Sequence, residues 1–396
     1  MALTQARIRR LRASIPALKG QIYVNWGGSG PSPAAVLCEV TGVLEREAAL
    51  GPFHPRVREA AAETAAALRA SAADLLGARP GEIALAGNTT GGVNVAAGGL
   101  EWKAGDEVII SDLEHPGGYL PWLLWRDRAG IRVRLLRTEG SDDELLTRLE
   151  AAMGPRTRAV SLSHIAWLTG RRLPVEEIGR LCRRAGALYV LDGAQSVGQI
   201  AVDVKRIRAD VYTLSGQKWL MGPQGTGAVY VRRGLRKTVR ETAAGYRTAR
   251  RKRLETLTFE PHAEARRFEV ATISPALFRG LGAAVEICRK SGPAAIEKRV
   301  LKLSDALLAA LRECKGVEVL CPPGPAQSGL VAFRVGGMKA ETVAARLLKK
   351  NRVVLRAVDS EPPAVRASIH YLNTGEEIDR IGEAVRALAR GGRKRG

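Results

Sequence analysis

Residues 187–231 carry the clearest signal for the fold, and they read ALYVLDGAQSVGQIAVDVKRIRADVYTLSGQKWLMGPQGTGAVYV. Three apolar runs in this stretch, at 187–191, 210–215 and 227–231, have the length and composition of buried strands. The first two runs are separated by enough chain for a helical crossover between parallel strands. The interval 216–226 is too short for a crossover, so the last strand is predicted to run antiparallel to its predecessor.

The same alternation extends towards the N-terminus. Further strand-like apolar runs lie at 83–86, 107–111, 131–136 and 158–163. Residues 174–186 have the apolar periodicity of a helix, with Gly186 as its C-cap. Strands that alternate with helices predict an α/β fold, a mostly parallel sheet with helices on both faces.

The C-terminal third has a different order of elements. A basic, poorly apolar stretch at 233–262 is predicted to be surface loop or helix. After it come a strand, a helix, two strands and a helix, at 329–335, 340–350, 353–357, 364–371 and from Glu376 onwards. This order predicts a smaller α+β domain. We expect a basic N-terminal arm (1–20) that is solvated or helical, a large domain (21–270), a small domain (271–385) and a basic tail (386–396).

The composition is that of an ordinary globular protein, but the chain of 396 residues has a net charge of +22. Such a charge raises the question of nucleic acid or an anionic membrane as partner. Residues 1–20, 232–253 and 386–396 carry +5, +9 and +5, which leaves only +3 for the rest. The terminal segments lack the interleaved aromatic residues of a stacking surface, and no nucleic-acid-binding motif is present. Nucleic-acid binding is therefore the alternative of another class, and not the expected function.

The cysteines and the hydropathy of the chain indicate the cellular compartment in which the protein works. No apolar run approaches the ~18 residues that a membrane span needs, and the N-terminus lacks the apolar stretch of a secretory signal. The five cysteines form no CxxC pair and no cluster with histidine. We therefore expect reduced thiols, a cytoplasmic protein without a membrane partner, and no metal site.

Ligands of parallel α/β sheets bind beyond the carboxyl ends of the strands, so the residues after each strand are the candidate site. These are a Thr-Thr-Gly helix start, two histidines, a carboxylate and a lysine: Thr89 and Thr90, His115 and His164, Asp192, and Lys218. A helix N-terminus binds a phosphate dianion, a lysine forms a Schiff base with an aldehyde, and a carboxylate keeps a pyridine nitrogen protonated. Together they predict a pyridoxal phosphate (PLP) site.

Taken singly, each of these residues also has a structural interpretation. Asp192 fits a turn, Lys218 a solvated surface, Thr89 and Thr90 a helix cap, and His115 a loop. Their joint occurrence at successive strand ends favours the functional interpretation.

Four motifs resemble the class V aminotransferase, or cysteine desulfurase-like, family of fold type I PLP enzymes. They are SDLEHPGGYLPW (111–122), LDGAQSVG (191–198), SGQKWLMGPQGTGAVYV (215–231) and RASIHYLNTGEEIDRI (366–381). The resemblance covers about 20–385, and it implies a mostly parallel seven-stranded sheet flanked by helices.

The resemblance also implies roles for single residues. In the family pattern Lys218 anchors the cofactor, Asp192 pairs with its ring nitrogen, His115 stacks on the ring and Gln195 contacts the ring hydroxyl. The phosphate is assigned to Thr89, Thr90, Ser215 and Gln217, although family members usually have His at the last position. Trp167 lies beside the cofactor.

Three further residues follow from the same resemblance. RFEVATIS (267–274) occupies the place of the segment that reaches the partner subunit's phosphate, so Thr272 is expected to act in trans within a homodimer. Arg366 matches the arginine that clamps the substrate α-carboxylate, a task that suits a guanidinium. Asn25 is a second candidate for substrate binding.

The absence of a cysteine from one loop argues against the reaction of cysteine desulfurases. Desulfurases of this family use a cysteine on a mobile loop between the last two strands as sulfur acceptor, and here that loop (358–363) reads VDSEPP. Cys321 lies before the strand at 329–335 and is a poor substitute. Trp167 stands where desulfurases carry Asn, which resembles cyst(e)ine C–S lyases and isopenicillin N epimerase-like enzymes.

We therefore expect a PLP-dependent C–S lyase. It would act on a cysteine-type amino acid by β-elimination, giving pyruvate, ammonia and a thiol, sulfide or persulfide. An aminotransferase and a racemase or epimerase use closely related chemistry and remain the alternatives.

Overall fold

The computed structural model describes residues 3–359 and 363–392. The helices are α1, Gln5–Ala13; α2, Ala34–Leu50; α3, Pro55–Leu76; α4, Thr89–Gly99; α5, Pro116–Ala129; α6, Asp142–Ala152; α7, Val175–Ala185; α8, Val204–Ile207; α9, Pro275–Ser291; α10, Pro293–Arg312; α11, Ala340–Asn351; and α12, Gly375–Gly392. The strands are β1, Ile22–Tyr23; β2, Ile83–Ala86; β3, Glu107–Ser111; β4, Arg132–Leu136; β5, Thr157–Ser163; β6, Leu188–Asp192; β7, Val211–Ser215; β8, Gly227–Val231; β9, Ala249–Arg253; β10, Thr258–Pro261; β11, Val317–Val319; β12, Leu330–Val335; β13, Val353–Val354; β14, Arg356–Val358; and β15, Ala364–Ser368.

A seven-stranded sheet in the order β2-β8-β7-β6-β5-β3-β4 forms the centre of the molecule. Strand β8 is antiparallel to both of its neighbours, and the pairs β3–β4, β3–β5, β5–β6 and β6–β7 are parallel. This confirms the predicted fold class and the predicted reversal of β8. All residues of β6, β7 and β8 are buried, because helices cover both faces of the sheet.

Helix α7 shows how the apolar pattern positions an element. Its buried residues include Val175, Ile178, Leu181 and Cys182, which lie on one face and pack into the largest core cluster. Gly186 ends the helix with φ 68°, in the left-handed region that favours glycine. Both features were predicted from the sequence.

The C-terminal part forms a four-stranded antiparallel sheet in the order β11-β12-β15-β14. The single strand predicted at 353–357 is two short strands, because the chain changes partner there. Strand β13 pairs with β1 near the N-terminus, whereas β14 pairs with β15. Strand β15 ends at Ser368, three residues before the predicted end of that strand.

The basic stretch 233–262 contains an element that the sequence analysis missed. Strands β9 and β10 form an antiparallel hairpin here, where loop or helix was predicted. Residues 250–259 are all exposed, so the hairpin has no apolar face and shows no apolar alternation that could have revealed it.

Of the two alternatives for the N-terminal segment, a solvated arm or a helix, the structure has the helix, and it is packed against the core. Helix α1 and the turn after it bury Ile8, Ile15 and Leu18 in the core that also holds the large sheet. Arg12 forms an ion pair of 2.5 Å with Glu377 at the start of α12. The helix therefore connects the two ends of the chain.

The two cores do not divide at residue 270. Phe278, Leu281 and Val285 of α9 pack into the first core with the large sheet. The second core begins within α10 and also takes Ile22 and Val24 from the N-terminal part. Of the basic tail, residues 393–396 lie outside the described residues. None of the helices described here is both long and apolar enough to cross a membrane.

Candidate active site

A cavity of about 240 Å³ lies at the carboxyl ends of the parallel strands, where β14 of the smaller sheet approaches them. It brings together most of the residues that the sequence analysis selected. Of those, the following line it: Thr89, Thr90, His115, Trp167, Asp192, Gln195, Ser215, Gln217 and Lys218. Residues from β5, β6 and β7 and from the starts of α4 and α5 thus meet at one edge of the sheet.

Asp192 and Lys218 form the polar centre of the cavity. Asp192 is the last residue of β6, and its Oδ1 accepts a hydrogen bond of 2.8 Å from the amide of Ala194. Burial raises the pKa of Asp192, while the charge of Lys218 lowers it. Burial lowers the pKa of Lys218 to about 8, against the opposing charge of Asp192. A substantial fraction of Lys218 is therefore neutral near physiological pH, which a nucleophile or base requires.

His115 presents a neutral ring to the cavity. Its Nδ1 accepts a hydrogen bond of 3.1 Å from Gly117 as the N-cap of α5, so the neutral ring carries its proton on Nε2. Burial, followed by the charges of Lys218, Arg356 and Arg366, lowers the pKa of His115 to about 4. The ring meets Trp167 edge-on, with 5.2 Å between ring centroids. Two aromatic rings thus form one side of the cavity.

The start of α4 provides a site for an anion. Thr89 Oγ1 lies 3.3 Å from Ser215 Oγ, and the two hydroxyls face the cavity beside the helix N-terminus. The helix cap is Asn88, which accepts from the amide of Gly91 at 2.9 Å, so the capping interpretation of Thr89 and Thr90 was wrong. The side-chain oxygen of Gln217 is buried without a partner among the described residues.

Arg366 is the most unusual charged residue of the molecule. It lies on β15, has no exposed area, and donates a hydrogen bond of 2.5 Å from Nη1 to the carbonyl of Trp167. Its Nε and Nη2 have no partner among the described residues. Burial lowers the pKa of Arg366 to about 9. Because a buried guanidinium without an anion is costly, this arrangement favours a ligand carboxylate that completes it.

Three predicted site residues are not among those that line the cavity: Arg366, Thr272 and Asn25. Thr272 is exposed, and its Oγ1 lies 2.9 Å from the hydroxyl of Tyr246. Asn25 adjoins a lining residue, since a Cβ on Gly28 would be 2.5 Å from the Oδ1 of Asn25.

Gln195 lines the cavity, but its amide is engaged within the protein. Nε2 donates to the carbonyl of Gly27, and Oε1 accepts from Trp219, both at 2.9 Å. Contact with a ring hydroxyl stays a prediction.

The structure adds residues that the sequence analysis did not select. Arg356 lines the cavity from β14, directly opposite Arg366 in the strand register. The sequence has the two arginines on neighbouring strands, but it does not give the register that places them opposite each other. Arg356 could therefore not be selected from the sequence alone. His164 does not line the cavity. It is buried, with Nδ1 2.8 Å from the hydroxyl of Tyr212.

These features define a fold type I PLP-dependent enzyme: a mostly parallel sheet whose strand ends carry a lysine, a carboxylate and an anion-binding helix start. The chain matches the model of the family described as aminotransferase class-V over residues 22–381. It therefore belongs to the class V aminotransferase family, a family of PLP-dependent enzymes.

Several proteins are similar to this chain over nearly its whole length. A probable cysteine desulfurase of Methanothermobacter thermautotrophicus is 30% identical, covering 97% of this chain and 98% of its own length. Isopenicillin N epimerase of Streptomyces clavuligerus is 32% identical, covering 93% and 94%. The structure of the cystine C–S lyase C-DES with its product cysteine persulfide has a TM-score of 0.86 at 30% identity, covering 94% of this chain and 99% of that one.

Proposed function

We propose that the protein is a PLP-dependent C–S lyase that acts on a cysteine-type amino acid without a relay cysteine. The observation that carries the proposal is the cavity itself. It combines Lys218, Asp192 and the unpaired Arg366 nearby, and no cysteine is among the described residues that line it. The similarity to a cystine C–S lyase supports the same reading.

The residues of the cavity fit PLP. Lys218 would bind the aldehyde carbon, and Asp192 would face the ring nitrogen. Thr89, Thr90, Ser215 and Gln217 would hold the phosphate, with the hydroxyls and the side-chain NH2 of Gln217 as donors. When bound, PLP supplies an electron sink for the negative charge that develops at the substrate Cα.

The chain's own residues account for positioning and proton transfer. Arg366 would bind the substrate α-carboxylate through its free Nε and Nη2. The amine of Lys218 would take the Cα proton, the Cβ–S bond breaks, and the electron pair leaves with sulfur. Water then completes the reaction to pyruvate and ammonia. Edge-on packing of His115 and Trp167 restricts water on one face.

The cysteines of the chain support a reaction without sulfur relay. All five lie in the described residues, and none of them lines the cavity. Cys321 Sγ accepts from the amide of Ala332 at 3.3 Å, and burial raises the pKa of its thiol to about 11. A thiol that stays protonated is a poor nucleophile. Replacement Cys321→Ala is expected to leave sulfur release unchanged within about twofold, and a near-complete loss would contradict the proposal.

Product analysis tests the reaction type. The holoenzyme is incubated with L-cysteine, L-cystine and a thioether amino acid, and pyruvate, sulfur product and 2-oxo acid are measured. We expect pyruvate in a fixed ratio to the released sulfur species. Formation of the 2-oxo acid of the intact substrate, without pyruvate or sulfide, would establish an aminotransferase instead.

Epimerisation is the second candidate, because an isopenicillin N epimerase is 32% identical to this chain. Both β-elimination and epimerisation begin with proton removal by Lys218, so the residues of the cavity do not distinguish the two reactions. Chiral chromatography of the remaining amino acid distinguishes the two outcomes. Conversion to the D-enantiomer without pyruvate would favour the epimerase.

We infer that the site is completed within a homodimer. Thr272 is exposed and does not line the cavity of its own subunit, which fits a contact with the partner's phosphate site.

We also propose that the protein is cytoplasmic, since all five of its cysteines are free thiols.

A further inference from the structure

Glu114 is a buried carboxylate that has no part in the chemistry described above. It follows β3, directly before His115, and only 8% of it is exposed. Ser163 donates to it twice, from the amide to Oε1 at 2.9 Å and from Oγ to Oε2 at 2.6 Å. The hydroxyl of Ser111 is a third donor. Its two oxygens are thus held in a fixed position by neutral donors.

Glu114 lies close to Asp192. Ser163, which holds Glu114, is the register partner of Asp192 on the neighbouring strand. A Cβ on Gly118 would lie 3.1 Å from Oε2 of Glu114 and 3.9 Å from Oδ2 of Asp192. Both carboxylates therefore border the position that a side chain on Gly118 would take.

We propose that Glu114 is a positioning residue for Asp192: it is a second carboxylate, behind the cavity, whose negative charge reinforces the field that Asp192 presents to the cofactor's ring nitrogen. The part concerning the nitrogen rests on the proposed PLP chemistry. The coupling of the two carboxylates rests on the geometry alone.

The electrostatics agree with this arrangement. Burial raises the pKa of Glu114 to about 7, the serine hydrogen bonds oppose the rise, and Asp192 adds to it. The titratable groups that face Glu114 are Asp192 and Tyr189, both on β6. Among the described residues no lysine or arginine contributes to the shift of its pKa. Glu114 therefore loses its proton as the pH rises through neutrality. Its negative charge then acts on Asp192, because no neighbouring cation in the described part of the chain neutralises it.

The first experiment uses the protein without cofactor. Infrared difference spectra over a pH series show whether a buried carboxyl group loses its proton near neutral pH. We expect that band in the wild type, its loss in Glu114→Gln, and its retention in Glu82→Gln, a matched control that removes a buried carboxylate far from the cavity. Ser163→Ala removes one donor to the charged form and should move the band to higher pH.

The second experiment uses the holoenzyme. Glu114→Gln should lower the pH at which the visible cofactor band changes by about half a unit or more, because a negative charge near the ring is lost. An infrared band that persists in Glu114→Gln, or a visible titration equal to that of Glu82→Gln, would overturn the inference. If the protein binds no PLP, the proposed function fails, but Asp192→Asn in the protein without cofactor still decides the coupling. It should move the Glu114 band to lower pH, because the charge of Asp192 raises the pKa of Glu114. A Glu114 band that stays at the wild-type pH in Asp192→Asn would overturn the coupling, and this comparison does not depend on the folding of Glu114→Gln.

Discussion

Lys218 shows how a single residue acquires reactivity from its surroundings. It lies three residues after β7, where the chain leaves the sheet, and burial has lowered its pKa to about 8. An exposed lysine would be almost fully protonated at neutral pH. The neighbouring Asp192 limits the shift and keeps the ammonium form accessible, so the amine is able both to bind an aldehyde and to exchange a proton.

The first prediction at this scale is the loss of both colour and activity on Lys218→Ala. Wild-type protein mixed with PLP should be yellow, with a visible band that survives gel filtration. In Lys218→Ala that band should vanish, and turnover should fall by about three orders of magnitude, because base and anchor are lost together. Lys237→Ala, an exposed lysine, serves as the matched control. A variant that keeps the band and the turnover would refute the assignment of Lys218.

The second prediction concerns Arg366. Lysine at this position keeps a positive charge but loses the paired donors Nε and Nη2, which have no partner within the protein. We expect Arg366→Lys to raise KM about 10-fold or more with a smaller change in kcat, as measured by pyruvate release. Equal KM values for variant and wild type would place the carboxylate elsewhere, and Arg356→Lys would then be the variant to examine.

At the scale of elements, features that depend on neighbouring residues in the sequence were predicted, and features that depend on contacts between distant strands were missed. The strands that end at Asp192 and Ser215 were predicted within one residue, because buried parallel strands are short, apolar and bounded by turns. Arg356 was missed because its place at the cavity depends on the register between β14 and β15. Glu114 was missed because its role depends on Ser163 from another strand.

Helix α1 illustrates the same limit and leads to the third prediction. The sequence predicted a solvated or helical segment but not its packing, since four residues of the helix are arginines; in the structure Ile8 is its buried residue. Ile8 lies in the main core, so Ile8→Ala should lower the free energy of unfolding by about 2–4 kcal/mol in urea denaturation. Arg9→Ala, at an exposed position of the same helix, should cost less than about 0.5 kcal/mol. Equal costs for the two variants would mean that the helix is not packed.

At the scale of the whole molecule, the net charge of +22 loses its value as a clue to nucleic acid. Several arginines of the basic segment 232–253 form ion pairs with acids elsewhere in the chain, including Arg232 with Asp210 at 2.6 Å and Arg247 with Glu269 at 2.8 Å. On the hairpin β9–β10, Arg251, Lys252 and Arg253 are exposed. Retention on DNA at physiological salt would revive the nucleic-acid alternative, because such binding would have to survive screening.

The last prediction tests whether the active site is shared between subunits. If Thr272 acts in trans, a dimer of one Lys218→Ala subunit and one Thr272→Ala subunit has one site with both native residues. Thr272→Ala alone should weaken PLP binding about 5- to 30-fold, the cost of one or two hydrogen bonds to a charged group. Unfolding and refolding the two variants together should restore tight PLP binding at one site per mixed dimer, measured by fluorescence titration.

The design separates trans from cis action because the two arrangements give opposite results in the mixed dimer. In cis, the subunit that keeps Lys218 would still carry its own Thr272→Ala change, so mixing would restore nothing. Thr256→Ala, an exposed threonine on the hairpin, is the matched control and should bind PLP like the wild type. Sedimentation must also show a dimer. A monomer that binds PLP with full affinity would contradict the role of Thr272, since Thr272 does not line the cavity of its own subunit.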